Sequence, residues 1–326
     1  ATYQAIPKLL DAELERCGAA HITPRGEADA AGDFFGTIEQ WSSRLWEDAN
    51  ALFSLDSTDG HDALYRVEPV GEQQWESWLE KRALVESEVV ENRELVAMNA
   101  PFARSKRHLE IALPSNSRYN TGDYVSLLPE NPPELVARAA RVLHVKPNDV
   151  VVVRAPMADA SIPTERPISV GELLARHVEL AAPATRSDIA KLAVNNECPP
   201  HQAALDRWAN DERAYQDEVF SKRLSLVELL ERFPASKISL ARALEMLPTM
   251  RRRRYSIASS PERSPRQCSL TVSVLDAPAW SGEGRHLGIA SNYLAKTRVG
   301  DKLTLLIESP TKPFYPPEDH ATPMIL

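Results

Sequence analysis

Cysteine is scarce in this 326-residue chain: Cys17, Cys198 and Cys268 lie far apart, cannot all pair with one another and form no CxxC spacing. That argues against a thiolate zinc site and points to a reducing compartment, so a cytoplasmic protein is expected. The eight histidines show no metal spacing with one another or with cysteine, and no metal is expected. No apolar run reaches the roughly 18 residues that span a bilayer, and no charged-then-apolar leader opens the chain. HExxH, GxSxG and GxxxxGKS/T are all absent, which removes most of the support for hydrolase and metalloenzyme readings. An excess of basic charge is missing too. The 46 acidic and 38 basic residues leave a formal net charge of −8, unlike a protein that follows a polyphosphate such as nucleic acid.

The length is more than one compact core usually holds, so two or three folding units are expected. The chain starts at Ala1, and its last residues, ATPMIL, read as the start of a buried strand, so an internal piece of a longer protein is expected. Ile6, Leu9, Leu10, Leu14 and Cys17 recur at helical spacing before Gly18, a left-handed stop. A second helix is predicted from a Thr37–Gln40 capping box through Trp41, Leu45, Trp46 and Leu52. SLDSTDGHD then reads as a linker. Around Ser87 the period changes: Leu109, Ile111 and Leu113 alternate with polar partners, and GDYVSLLP follows a Gly-Asp turn, as antiparallel strands would. Helical patterns dominate from Pro133 to Leu247, with capping boxes at Ser169–Glu172 and Ser225–Glu228 and a long charged helix carrying Leu205, Trp208, Tyr215 and Val219. Alternation returns at Tyr255, at Leu270, Val272 and Val274, and at Leu303, Leu305 and Ile307, so the two β halves are expected to form one sheet structure.

The chemistry concentrates in MRRRRYSIASSP, Met250 to Pro261. On a strand, Arg253 and Tyr255 share one face while Arg254 and Ser256 share the other. A guanidinium beside a phenol ring suits a ligand with an anionic part and a flat part; a solvated basic face is the equally weighted bland reading. GIASNYLAK opens with Gly288, so the amides of Ile289, Ala290 and Ser291 can meet an anion at a helix N-terminus. GEGRHLG, with glycines 282, 284 and 288, is GxGxxxG and does not support a dinucleotide fold of the Rossmann type.

These residues carry a resemblance. RRYSIASSP resembles the Arg-x-Tyr-Ser motif of the diflavin reductases, the group containing NADPH–cytochrome P-450 reductase, and GIASNYLA looks like their second FAD motif. RHLEIALP and YNTGDYVSLLPEN resemble the first barrel strands of that family, and TYQAIPKLL through GTIEQW resembles the end of its flavodoxin domain. CPPHQAALDRW and KRLSLVELLERFPA fit best the reductase half of the self-sufficient fatty-acid hydroxylases, where a cytochrome P-450 and its reductase are one polypeptide. The resemblance implies that Arg253 binds the FAD diphosphate, Tyr255 stacks on the isoalloxazine and Ser256 hydrogen-bonds near its reactive edge. It implies further that Gly288, Ile289, Ala290 and Ser291 hold the diphosphate through their amides, that His108 contacts FAD, and that Thr2, Tyr3 and Gln4 contact FMN. Arg254 replaces the aromatic residue often found at its position and is a candidate phosphate contact.

The fold implied is a mainly antiparallel β-barrel of the ferredoxin-reductase type with an α-helical connecting insertion, preceded by the C-terminal piece of an α/β flavodoxin domain. Its parts would be residues 1–55 (flavodoxin-like), 56–86 (linker), 87–132 (first part of the barrel), 133–248 (connecting domain), 249–314 (second part of the barrel) and 315–326 (start of an NADP-binding domain). FAD is the implied cofactor, with FMN and NADPH sites present only in part and haem in the parent protein alone. No complete catalytic set is expected. The implied partners are the FMN domain and a cytochrome P-450 haem domain in the same parent chain, with electrons passing from NADPH through FAD and FMN to haem. The alternatives are a sulfite-reductase-type flavoprotein and a non-catalytic interaction module.

Overall fold

Strand-forming residues with one buried face need a partner sheet or helix to cover that face, and the chain supplies both. In a computed structural model, residues 5–28, 34–53, 65–69, 85–155, 162–282, 284–311 and 321 are described. Thr2, Tyr3 and Gln4, and most of residues 315–326, lie outside them. The chain divides into two units, residues 1–62 and 63–326.

In the first unit α1 spans Ala5–Arg16, and Gly18 takes a φ of 93°, the left-handed stop expected from its sequence. The apolar face of α1 is exposed: Ile6, Leu9, Leu10 and Leu14 are all more than half accessible. Helix α2 spans Phe34–Phe53 and so begins before Thr37. Thr37 lies inside the helix rather than at its cap, which corrects the capping-box reading.

Among the described residues the second unit holds two large cores. A three-stranded antiparallel sheet, β1 (Arg66–Pro69), β5 (Val150–Arg154) and β6 (Pro167–Ser169), packs with helices α3 (Pro133–Val142), α4 (Val170–Arg176), α5 (Arg186–Val194), α6 (Pro199–Asn210), α8 (Leu226–Arg232) and α9 (Leu240–Met246). Residues 133–248 are therefore not purely helical. β1, placed by sequence in a linker, is the edge strand of this sheet. The long helix expected around Trp208 is broken: α6 ends at Asn210, and Asp211 caps a short α7 (Glu212–Tyr215) that runs into a π-helical turn at Gln216–Phe220. Ser225 and Glu228 form the expected reciprocal capping box, while Ser169 accepts from Glu172 N–H without the return bond. A third box, Thr185–Asp188, was not read from sequence.

The other core belongs to a six-stranded antiparallel sheet of order β7-β4-β11-β2-β3-β8. Its strands are β2 (Val85–Glu94), β3 (Lys106–Ala112) and β4 (Tyr124–Leu127) from before the helical segment, and β7 (Arg253–Ser256), β8 (Gln267–Ser273) and β11 (Lys302–Glu308) from after it. The two β halves thus form one sheet, as their alternation implies. Leu109, Ile111, Val125, Leu127, Leu270, Leu303 and Leu305 are buried on one face with Leu294 of α10 (Ile289–Lys296). β7 and β8, the ends of this order, meet at an antiparallel bridge between Ile257 and Leu270, and Ala258 N–H donates to Ser269 O at 2.8 Å. Among the described residues no helix is long and apolar enough to cross a membrane.

One carboxylate fixes the β2–β3 hairpin. Glu94 Oε1 accepts from the N–H groups of Leu95 (3.1 Å), Val96 (3.1 Å) and Lys106 (2.9 Å), and Oε2 accepts from Ser105 Oγ at 2.6 Å. The Ser105 bond, with the backbone donors behind it, holds the acid down at about 2. A depressed carboxylate contributes stability above its unfolded pKa and loses that contribution as pH falls through the folded value. Glu94→Gln is expected to lower stability by roughly 1 kcal/mol near neutral pH, allowing for solvent screening. The gap to the parent protein should close between about pH 4.5 and 2; denaturant melts at pH 7 and pH 3 check this, and a gap independent of pH contradicts it.

Candidate functional site

Four consecutive arginines repel unless carboxylates separate them, and here two do. On β7 the exposure alternates: Arg253 and Tyr255 are half-buried, whereas Arg254 and Ser256 are exposed. This is the face-sharing expected from strand period. Arg253 donates from Nη1 to Glu179 Oε1 (2.9 Å) and from Nη2 to Glu179 Oε2 (3.1 Å). On the other face Arg254 Nε pairs with Glu308 Oε2 at 2.7 Å and Arg252 Nη1 with Glu308 Oε1 at 3.3 Å. Tyr255 packs against the sheet core, and burial raises its phenol pKa while the nearby charge of Arg253 pulls it down. Ser256, the last residue of the strand, pairs in register with Tyr124 of β4.

The second motif lies beside this strand. Ile289, the first residue of α10, packs with Leu306 against a small buried cluster of Leu128 and Met250, the residue preceding the arginine run. Gly288 caps the helix, and the first intrahelical donor is Asn292 N–H to Gly288 O at 3.0 Å. The amides of Ile289, Ala290 and Ser291 therefore have no helical acceptor by geometry and point out of the N-terminus. Two side chains fasten this end: Ser291 Oγ accepts from Leu275 N–H at 3.1 Å, and Asn292 Nδ2 donates to Leu275 O at 2.7 Å. Glycine is required at 288 by this close approach, since a Cβ there would lie 2.9 Å from Leu275 Cβ and 2.8 Å from Ser291 Oγ.

A cavity of about 370 Å³ opens at this helix end, lined among others by Ala181, Lys222, Arg223, Trp280, His286 and Ile289. Arg223 follows the π-helical turn, takes a φ of 51°, and places its guanidinium 4.3 Å from the Trp280 ring centroid. Trp280 lies in the turn between β9 (Asp276–Pro278) and β10 (Arg285–Leu287), where Gly282 and Gly284 have φ values of 82° and 75°. Gly282 and Gly284 of GEGRHLG thus serve a hairpin. Arg223 and Trp280 were missed from sequence; the available signal was Trp280 beside a glycine-rich turn just ahead of the second motif.

His108 falls elsewhere on the sheet, on β3 between Arg93 of β2 and Thr271 of β8. It shares a face with Glu91 and Glu110, and one ligand atom from each of the three lies within 4.8 Å of the others. Glu91 is engaged by Arg93 Nε at 2.7 Å, and His108 Nε2 lies 3.6 Å from Glu110 Oε1. Spacing along the chain could not show this group, which forms across two strands. Burial pushes the Cys268 thiol up to about 12, which removes it as a nucleophile.

A half-buried cation beside an aromatic ring, next to a free helix N-terminus and an aromatic-lined cavity, defines a site for a ligand that is both anionic and flat. Comparison with known proteins agrees: the family described as FAD binding domain matches residues 79–293, and the chain belongs to that family. The bifunctional cytochrome P-450/NADPH–P-450 reductase 2 of Bacillus subtilis (strain 168) is 37% identical over 327 residues, covering 100% of this chain and 31% of that protein. A self-sufficient cytochrome P-450 monooxygenase of Phanerodontia chrysosporium is 39% identical over 332 residues, covering 100% of this chain and 30% of that protein. The bifunctional enzyme of Fusarium oxysporum is 36% identical over 327 residues, covering 99% and 30%. The chain therefore spans about a third of the length of these relatives.

Proposed function

We propose that this chain is the FAD-binding portion of a reductase that passes electrons from NADPH through FAD and FMN to a cytochrome P-450 haem in the same parent polypeptide. The observation that carries the reading is that Tyr255 and α10, through Tyr293 and Leu294, pack against the same sheet core, while Met250, just ahead of the arginine run, and Ile289, the first residue of α10, share a second small cluster. The donor set fits FAD. Arg253 offers a guanidinium to the diphosphate, the amides of Ile289, Ala290 and Ser291 offer uncharged donors to the same group, and Tyr255 offers a ring face to the isoalloxazine. Ser256, at the exposed end of β7, is assigned the hydrogen bond near the reactive edge, and Arg254 a secondary cationic contact. The Arg223–Trp280 wall is assigned to the nucleotide half. His108, on β3 between β2 and β8, stands apart from this donor set.

The sheet is read as a flattened barrel closed at Ile257 and Leu270, with residues 133–248 as the connecting domain between its halves. Bound FAD would supply the exchange between a hydride and single electrons; the residues here hold and orient it and keep water from its diphosphate. The names of the relatives support the fused monooxygenase type over a sulfite-reductase-type flavoprotein. The purified chain, denatured and its released flavin chromatographed, is expected to yield FAD predominantly. Predominant FMN, or a colourless protein that stays so after incubation with FAD, would overturn the assignment.

A further inference from the structure

We infer that Glu179 is the positioning residue that aims Arg253 at the diphosphate, a role that rests on the FAD reading above. Its carboxylate is buried, with 11% of the side chain accessible, beside the four-arginine run, the last two of whose residues lie on β7. It accepts three N–H groups: Arg253 Nη1 and Nη2, and the Arg251 backbone N–H at 3.0 Å. Glu179 is itself fixed by backbone pairing. Its N–H donates to Pro248 O at 2.8 Å, Val178 bridges Thr249, and Met250 N–H donates to His177 O at 2.9 Å. The segment that follows α4, which ends at Arg176, is thereby stitched to the chain entering β7.

The donor count shows what this leaves available. A guanidinium has five N–H groups in one plane. Arg253 spends three of them, two on Glu179 and one from Nη1 on Arg251 O at 2.8 Å. All three are on the terminal nitrogens. Among the described residues Nε–H and the second Nη2–H have no acceptor, and these two lie parallel along one edge, the geometry that grips two phosphate oxygens. The side chain is 36% accessible, so this edge can meet a ligand. Glu179 thus holds one edge of the guanidinium and presents the other, which removes rotamer freedom that would otherwise be lost on binding.

Charge alone predicts the opposite effect. A carboxylate close to a diphosphate repels it, so removing Glu179 should tighten FAD binding if it is only a counter-charge. Positioning predicts weaker binding. FAD affinity of the whole chain would be measured by flavin fluorescence quenching for Glu179→Ala, Glu179→Gln, Arg253→Ala and the Glu179→Ala/Arg253→Ala double variant. Glu179→Ala is expected to weaken binding roughly threefold to thirtyfold. Glu179→Gln, which keeps one acceptor oxygen, should fall between it and the parent protein, and should also cover the case in which the alanine variant does not fold. The double variant should bind no more weakly than Arg253→Ala alone. Tighter binding by either Glu179 variant would leave Glu179 a counter-charge only, and an equal further loss in the Arg253→Ala background would make its role general stability; either result overturns the proposal. Failure of the unsubstituted chain to bind FAD would instead defeat the underlying reading.

Discussion

Arg253→Ala is expected to lower FAD affinity roughly tenfold to a hundredfold, the value of a charge-assisted contact of about 1.5 to 3 kcal/mol. Arg251→Ala, which removes the same formal charge from the same run, should cost under about threefold, because an exposed charge acts mainly through screened attraction. The structure sharpens this contrast. The Arg251 side chain is exposed, and the residue meets the site through its backbone, an N–H on Glu179 and a carbonyl that accepts from Arg253 Nη1, both of which alanine retains. The Arg253 side chain makes both guanidinium contacts to Glu179. Removing it also leaves a buried carboxylate with one donor in place of three, so some loss of stability should accompany the loss of affinity. Equilibrium dialysis at low and high salt separates the two substitutions. Equal losses that vanish together in salt would mean that the arginines form a diffuse basic patch without a specific diphosphate contact.

The second large effect is structural. Leu109→Ala should lower the unfolding free energy of the sheet-containing unit by about 2 to 5 kcal/mol, since it deletes a fully buried side chain from a close-packed face. Leu109 is 0% accessible on β3 and is opposed in register by Leu270 of β8, also 0% accessible. Leu9→Ala, at a position 64% accessible on α1, should change stability by no more than about 0.5 kcal/mol. Chemical denaturation followed through the transition of each unit compares the two. A loss below about 1 kcal/mol for Leu109→Ala would show that the β3–β8 face repacks around the deletion.

Much of the sheet was legible because strand alternation is a local property. Leu109 and Ile111, Leu270 and Val272, and Leu303 and Leu305 all proved to face one core, although a hundred and more residues separate the first pair from the others. The helical segment was less legible. Val150–Arg154 is a strand within it, and its partner β1 lies in a stretch whose composition reads as a linker. Nothing along the chain announces that pairing, because it spans more than eighty residues. The long helix carrying Trp208 failed for a different reason. Asp211 offers its side chain to the amides of Arg213 and Ala214, and this local cap restarts the helix where apolar spacing alone predicts continuity.

At the candidate site, residue order was enough to show that Arg253 and Tyr255 share a face and that Gly288 opens a helix with unspent amides. Both follow from backbone geometry over a few residues, the two-residue period of a strand and the missing acceptors of a first helical turn. Which edge of Arg253 is free depends on long-range folding, because the carboxylate that takes the other edge is Glu179, 74 residues earlier in the chain. The same holds for the placing of Arg223 over Trp280 and of Ile289 against the cluster of Leu128 and Met250. Such meetings depend on how long intervening segments close and pack, and a linear pattern of residue types does not encode distances across them.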